Sequence, residues 1–365
     1  MQIICSKETL VNNVNIVLKA ISQRTTIPIL ECILLEVTDI FKMTANNLEM
    51  AIETTPIEVD IIEQGSIAID AKMFFDIIRR LPEEKIILKV ENNNTVYIKS
   101  GKVEFKIAGQ NPEEFPELPS VEKLEKYSVQ TNTFKNMIKQ TIFSISNLED
   151  KPVYTGELME IEDGILNLVA VDNFRVSLRK EKLQETGSDI MAIIPGKTLN
   201  ELSKILGTEG FVNVYFSEKH VLFETDNCIL ISRLIEGEFL KYKQVLSQDH
   251  TTSFEINTKE LLSSLERSML ISTDNKKTPV VLKITSNNLV LTSKADLADL
   301  YDELAIEMLG RDLTISFNPK FLIDAIKVIE EDVIVLGFNT ELSPCIITEK
   351  DSDNCKYLVL PLRPN

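Results

Sequence analysis

Histidine is scarce in this chain, and with it the chemistry that histidine serves. Only His220 and His250 occur in 365 residues. Nucleophilic and general-base catalysis runs most often through an imidazole, and neither histidine stands beside a plausible serine, cysteine or carboxylate partner. Cysteine is sparse as well. Cys5, Cys32, Cys228, Cys345 and Cys355 are odd in number, scattered, and form no Cys-x-x-Cys pair. That pattern argues against a zinc site or a disulfide framework and for buried, reduced thiols in a cytoplasmic protein. No apolar run approaches the roughly 20 residues of a membrane-spanning helix. The start, MQIICSKETL, lacks the basic-then-apolar pattern of a secretory leader, and no low-complexity segment occurs. Pro195-Gly196-Lys197-Thr198 ends like a phosphate-binding loop, but the glycine that motif needs five residues earlier is Met191. The acidic pairs Glu83-Glu84, Glu113-Glu114 and Glu330-Glu331 fall in turns and read as solvated charge. The expectation is a protein without metal, cofactor, membrane segment or catalysis.

What the chain does have is a repeat. Lys151 to Leu178 reads as two strands joined at Asp163-Gly164, a pair suited to the positive φ angles of a two-residue hairpin turn. A similar pattern runs from Thr26 to Met50 and again from Thr278 to Leu297, with Pro28, Pro152 and Pro279 each opening a strand. A second landmark agrees. Lys72, Lys197 and Lys320 head helix candidates whose positions +2, +5 and +9 are apolar: Phe74, Ile77, Leu81; Leu199, Leu202, Leu206; and Leu322, Ala325, Ile329. Steps of three and four place those side chains on one helical face. Both landmarks give a period near 125 residues, long enough for whole domains rather than solenoid units.

Each repeat also begins with an amphipathic helix, marked by Leu10, Val14, Val17 and Ile21, by Phe134, Met137, Ile138 and Ile142, and by Leu261, Leu265 and Met269. Two or three strands close each copy. The predicted fold is α+β: three domains of similar fold, each with two helices packed on antiparallel sheet. The proline-rich segment Gly109 to Lys123 reads as an extended linker and the second boundary falls near Leu246 to His250, giving domains 1–122, 123–248 and 249–365.

Charge is divided unevenly. Across the helix candidates 6–21, 70–81, 131–142, 196–206, 258–270 and 318–329, 13 lysines and arginines face 7 acids, a surplus of +6. With the whole chain at −17, the remainder carries −23. Basic helices on an acidic body suit a helix surface that meets phosphates while the exterior repels them.

RTTIPIL (Arg24 to Leu30), AKMFFDIIRRLP (Ala71 to Pro82), GQNPEEFPELP (Gly109 to Pro119), AVDNFRV (Ala170 to Val176), SRLIEGEFLKY (Ser232 to Tyr242) and YLVLPLR (Tyr357 to Arg363), in this order across the whole chain, resemble the bacterial sliding clamp family, the beta subunit of DNA polymerase III. The resemblance implies a head-to-tail homodimer closing a ring round duplex DNA, a non-catalytic processivity factor that tethers the replicative polymerase and other replication and repair proteins and is handled by a clamp loader. It implies that Arg24 touches DNA from a channel-facing loop. The helix charge itself offers Lys72, Arg79, Arg80, Lys135, Lys139, Lys197, Lys204, Lys320 and Lys327 as the wall, contacting phosphates without reading bases. A peptide groove is implied at Lys151, Tyr154, Val171, Asn173, Phe174, Arg175, Val176, Leu240, Gln244, Val245 and Pro344, completed by Leu358, Val359, Leu360, Pro361, Leu362 and Arg363. A subunit interface is implied between Lys102, Phe105 and Ile107 on one side and Leu270, Ile271 and the acidic stretch with Asp296, Asp299, Asp302 and Glu303 on the other.

The chain departs from the family in places. Val171-Asp172-Asn173-Phe174-Arg175 stands where Thr-Asp-Gly-His-Arg is common, and Leu240 and Gln244 stand where proline and arginine are common, so the groove's peptide preference should differ. Pro152 and Val153 occupy the place of aromatic DNA contacts in some members. The competing reading is a monomeric peptide-binding scaffold that never encircles DNA.

Overall fold

The computed structural model describes every residue except 23–24, 149, 185–186, 248, 272–277 and 364–365. The first repeat runs β1 (Gln2–Ser6), α1 (Lys7–Val17), β2 (Cys32–Val37), β3 (Phe41–Asn46), β4 (Met50–Thr54), β5 (Asp60–Glu63) and β6 (Gly65–Asp70). It continues with α2 (Ala71–Ile78), β7 (Lys85–Val90), β8 (Thr95–Ser100) and β9 (Val103–Ala108). The second opens with β10 (Tyr127–Gln130), α3 (Thr131–Thr141), β11 (Gly156–Glu162), β12 (Ile165–Val171), β13 (Arg175–Lys182) and β14 (Ile190–Pro195). It closes with α4 (Gly196–Ile205), β15 (Phe211–Phe216), β16 (His220–Glu224) and β17 (Cys228–Arg233), followed by the short α5 (Tyr242–Leu246). The third has β18 (Thr252–Asn257), α6 (Thr258–Met269), β19 (Val280–Ile284), β20 (Asn288–Lys294), β21 (Asp299–Ala305), β22 (Glu307–Leu309) and β23 (Leu313–Phe317). It ends in α7 (Pro319–Ile326), β24 (Val333–Phe338), β25 (Cys345–Glu349) and β26 (Cys355–Val359).

Local chemistry starts these helices in a repeated way. The strand before a helix delivers a capping side chain: Ser6 accepts from the Thr9 amide (2.9 Å), Asp70 from Met73 (2.7 Å), Asn257 from Lys259 (3.0 Å) and Asn318 from Lys320 (3.1 Å). Each satisfies a helix-terminal N–H that has no partner inside the helix. The first helical residue of every repeat also donates its amide to the loop after the second helix: Lys7 to Glu84, Thr131 to Gly210 and Thr258 to Asp332. The expected apolar triads are buried except Ile77, which is half-buried, and Met269 is exposed rather than part of its helix's buried face. In the third repeat Leu261, Leu265, Leu322 and Ala325 form one cluster with Phe254, Leu282, Phe317 and Phe338, each large side chain contributing roughly 1.5–3 kcal/mol by leaving water.

The hairpin at Asp163-Gly164 has φ of 51° and 73°, so both residues take the left-handed conformation that the tight turn requires. Two sequence expectations need correction. Pro28 and Pro152 open 3-10 turns ahead of β2 and β11 rather than strands, because a ring-fixed φ and a missing N–H suit the first turn of a helix. The linker is also less extended than expected: Phe115 is buried beside Ile29, Leu30 and Ala68, and Leu118 and Val121 pack on Tyr215, Leu222 and Ile231.

The sheets do not respect the repeats. One of eight strands has the order β10-β15-β16-β17-β4-β3-β2-β6, and one of nine has β14-β11-β12-β13-β26-β25-β24-β18-β22. Each of these joins halves of two repeats. The smaller sheets, β5-β1-β7-β8-β9 and β21-β20-β19-β23, each contain strands of one repeat only. The chain accordingly divides into two compact units, 1–132 with 201–234 and 133–200 with 235–365. This division follows the sheets: the central repeat gives β10 and β15–β17 to the first unit and β11–β14 to the second.

One carboxyl lies wholly inside. Glu157 on β11 accepts a hydrogen bond from the Thr141 hydroxyl (2.7 Å), and burial pushes its pKa up to about 8. A carboxyl whose folded pKa is raised holds its proton longer in the folded state, so stability falls as pH rises from the unfolded value near 4.5 toward 8. Glu157→Gln is therefore expected to flatten that part of the profile. Urea midpoints of both proteins between pH 5 and 8 check it; equal slopes would remove the assignment.

Candidate peptide groove and nucleic-acid interface

The face of the nine-stranded sheet away from the helices carries its own apolar cluster. Leu158, Val169, Val171, Val176, Leu178, Ile346 and Leu358 form its sheet side. Phe239, Tyr242 and Leu246 cover it from the segment that contains α5. Val153, Tyr154, Ile235, Leu240 and Val245 pack on this cluster while staying partly open to solvent. Tyr154 meets Phe239 edge to face (centroids 5.8 Å apart), and the Lys151 ammonium lies 5.5 Å over the Tyr154 ring. The α5 segment is pinned to β11 by Tyr242, whose hydroxyl donates to Glu160, and by Lys243, which pairs with Glu162 and with Glu160 (3.0 Å). The result is a partly exposed apolar surface beside which Lys151 and Gln244 are open to solvent.

Of the groove positions expected from sequence, Tyr154, Val171, Val176, Leu240, Val245 and Leu358 share one cluster. Val359 does not belong with them. Successive residues of a strand face opposite ways, and Val359 is buried in the helix-side core instead. Leu360 is exposed and its amide donates to the Phe174 carbonyl (2.8 Å), while the Leu362 amide donates to Ser316 (2.8 Å), so backbone bonds hold the tail in place. Asn173 and Arg363 are exposed, and Pro344 and Pro361 are half-buried. Sequence reasoning missed Phe239, Tyr242 and Leu246, although their spacing of three and four was there to read.

Arg175 is tied into the fold on several sides. Its guanidinium donates to Asp172 (2.9 Å), Asp324 (2.9 Å) and the Phe143 carbonyl (2.5 Å), and it lies between the rings of Phe143 (5.3 Å) and Phe321 (4.8 Å). Asp172 in turn accepts from the Phe174 amide (2.7 Å) and the Arg175 amide (3.0 Å), closing a tight turn. The turn presents Phe174, 48% exposed and stacked on Phe321 at 5.5 Å. That stack walls a cavity of about 390 Å³ lined also by Leu148, Met269, Thr278 and Lys320. Burial alone would raise the Asp324 pKa, but hydrogen bonds from Lys327 and Arg175 outweigh it and hold the carboxyl below its usual range. Arg175 thus fastens the turn that carries Phe174.

The basic candidates lie on helix surfaces. Lys72, Arg79 and Arg80 of the first unit are exposed, as are Lys139, Lys197, Lys320 and Lys327 of the second; Lys135 is half-buried. Lys204, in the first unit, is exposed too. The second helix of each repeat carries the same triple at positions 0, +4 and +7: Lys72, Asp76, Arg79; Lys197, Glu201, Lys204; Lys320, Asp324, Lys327. In all three the last two members form an ion pair, Arg79 with Asp76 (2.7 Å), Lys204 with Glu201 (2.7 Å) and Lys327 with Asp324. Arg24 lies outside the described residues.

Two sheet edges carry the remaining candidates. Phe105, 40% exposed, and half-buried Ile107 stand on β9, the edge of its five-stranded sheet, and exposed Lys102 sits in the turn before it. Asp299, Asp302 and Glu303 stand on β21, the edge of the four-stranded sheet. Asp302 is engaged by Ser264 (2.7 Å) and Arg267 (2.9 Å), and Glu303 accepts from the Tyr301 hydroxyl (2.9 Å). Asp296 is exposed in the loop before β21. Leu270 is exposed and Ile271 half-buried just after α6.

Comparison with known proteins settles the family. Consecutive models of the DNA polymerase III beta subunit match the chain: the N-terminal domain over residues 1–119, the central domain over 128–241 and the C-terminal domain over 243–363. The chain belongs to the DNA polymerase III beta subunit family. Among its relatives, the beta sliding clamp of Halalkalibacterium halodurans is 35% identical and that of Bacillus subtilis 33%, each covered in full along with this chain. Among solved structures, a putative DNA polymerase III beta subunit from Eubacterium rectale matches with a TM-score of 0.96 at 38% identity. The Bacillus subtilis DNA polymerase sliding clamp matches with 0.97 at 32%, again over the whole of both chains. As a sliding-clamp subunit the chain is non-catalytic. Among the described residues no cluster of candidate metal ligands occurs, and no helix is long and apolar enough to cross a membrane.

Within this clamp chain, Arg175→Ala would leave Asp324 without one of its two cationic partners in a largely buried setting. Removing one member of such a pair costs on the order of 3–5 kcal/mol. The expected result is a lower urea midpoint for the unit that contains residues 133–200 and 235–365, with Arg175→Lys recovering little because one ammonium cannot reach three acceptors. An unchanged midpoint for Arg175→Ala would show the fastening to be inert.

Proposed function

We propose that two copies of this chain close head to tail round duplex DNA and hold the replicative polymerase and other replication and repair proteins to it through the trough on the nine-stranded sheet. The domains are 1–122, 123–248 and 249–365, and the protein works in the cytoplasm, where a clamp loader opens and places it. The observation that carries the dimer is the pair of bare sheet edges. Within the chain, repeats are joined by strand pairing, β17 with β4 and β13 with β26. At the ends of the series, β9 and β21 each stand at the edge of their sheet, with no strand beyond them among the described residues. A second copy supplies both missing neighbours. The monomeric scaffold would leave both edges open to water and to chance partners.

DNA is held by enclosure rather than by sequence. The basic helices supply phosphate contacts, which position a duplex without reading it. Lys72, Lys197 and Lys320, which stand outside the internal ion pairs of the repeated triple, carry more of this contact than Arg79, Lys204 and Lys327, each partly neutralised by its own helix. Arg24, Arg80, Lys135 and Lys139 complete the basic wall. The trough takes a short peptide with aliphatic and aromatic anchors. Tyr154, Leu240 and Val245 receive them, and Phe174 adds an apolar ring at one end.

Loaded on nicked circular duplex, the protein is expected to stay bound through gel filtration and to be lost when one restriction cut opens the circle. Equal loss from both forms would end the clamp reading. Leu240→Asp is expected to weaken binding of a polymerase-derived peptide by roughly tenfold or more, about 1.4 kcal/mol, since hot spots sit in desolvated apolar pockets. Fluorescence anisotropy with a labelled peptide measures it, and unchanged affinity would remove the trough assignment.

A further inference from the structure

The segment that carries Leu240 and Val245 has little stability of its own. α5 is only five residues long, no side chain caps its start at Lys241, and a helix that short does not persist in water alone. What holds it is the sheet below. The Tyr242 ring is buried in the apolar cluster, and its hydroxyl donates to the Glu160 carboxylate on β11. Lys243 pairs with the same carboxylate (3.0 Å) and with Glu162. Upstream, the Ile235 amide donates to the Ile193 carbonyl (2.9 Å), so the segment is tied first to β14 and then to β11.

Glu160 in turn depends on α5. Its side chain is almost wholly buried, and a carboxylate removed from water needs a donor or a cation beside it. Its neighbours across the sheet supply no charge: Asn167 stands opposite on β12 and Met191 on β14. The Asn167 amide is turned to the Ile165 carbonyl (3.4 Å). The first repeat meets the same need differently. Glu36 follows Pro28 at the same distance as Glu160 follows Pro152, and Lys42 stands directly opposite Glu36 on β3. In the second repeat that cross-strand lysine is gone, and α5 brings the donor and the cation instead.

We propose that Glu160 and Tyr242 position the peptide-binding residues Leu240 and Val245, and so govern affinity for the partner peptide without touching it. This rests on the peptide surface proposed above. Tyr242 is 4% exposed and Glu160 7%, so neither is open to a ligand. The Tyr242 amide donates to the Leu240 carbonyl (2.7 Å), which ties Leu240 to the anchored residue through the backbone. Val245 lies three residues further on, on the same side of the short helix. Burial and the bond to Glu160 both raise the Tyr242 pKa, so the phenol remains a donor.

Tyr242→Phe removes one oxygen and keeps the buried ring. It is expected to weaken binding of the labelled polymerase-derived peptide about fivefold, the effect of one lost hydrogen bond. Glu160→Leu, which leaves the hydroxyl unpaired, is expected to do the same, whereas Glu160→Gln still offers an oxygen and should retain most of the affinity. A double-mutant cycle separates positioning from general loosening. In a Leu240→Ala background the effect of Tyr242→Phe is expected to shrink. In a Phe174→Ala background, a residue outside this cluster, it is expected to persist in full. Unchanged affinity of Tyr242→Phe, or equal effects in the two backgrounds, overturns the positioning role even where Leu240→Asp weakens binding. Unchanged affinity of Leu240→Asp as well overturns the peptide surface itself.

Discussion

Strand pairing across repeat boundaries is the constraint on which the rest of this molecule depends. Each repeat folds into two half-sheets, and neither half is completed by the repeat that makes it. Main-chain N–H and C=O groups at the bare edge of a half-sheet have no internal partner, and leaving such groups buried and unpaired is costly. The chain meets this demand twice, at β17 with β4 and at β13 with β26. It is the reason that the compact units cut through the central repeat, and it is the reason that a second copy is the natural partner for the two edges left over.

The trough follows from the same arrangement. β13 and β26 come from different repeats, and their pairing places Val176 beside Leu358 and continues both faces of the sheet across the seam. The side away from the helices becomes an apolar floor, and α5 covers part of it with Phe239, Tyr242 and Leu246. Arg175 begins β13, and its fan of bonds to Asp172, Asp324 and Phe143 fixes the turn that carries Phe174. The apolar surface proposed for peptide binding and the structural junction therefore share residues, Val176 and Leu358 among them.

Much of this was legible in the sequence because it is local. Helical faces such as Leu199, Leu202 and Leu206 come from spacing alone, and the Asp163-Gly164 turn comes from two adjacent residues with known conformational freedom. The basic surplus of the helices, too, is read directly from composition. What stayed hidden was non-local. Nothing in the pattern of β17 says that its neighbour is β4, where Ser232 pairs with Met50, 182 positions earlier in the chain. Val359 was misplaced because Leu358, Val359 and Leu360 are all apolar, so the alternation that would separate two faces was invisible. The bonds of Arg175 were equally hidden, because its partner Asp324 lies 149 positions away.

The sharing of sheets also decides what happens to fragments. A central repeat excised from its neighbours would carry two raw edges, β13 and β17, each shaped to receive the kind of strand that the other is. Copies of such a fragment would add to one another end over end, without a natural stop, and form rings or filaments according to the angle of each step. Cutting this protein at its apparent domain boundaries would therefore yield a self-assembling material rather than three small soluble pieces.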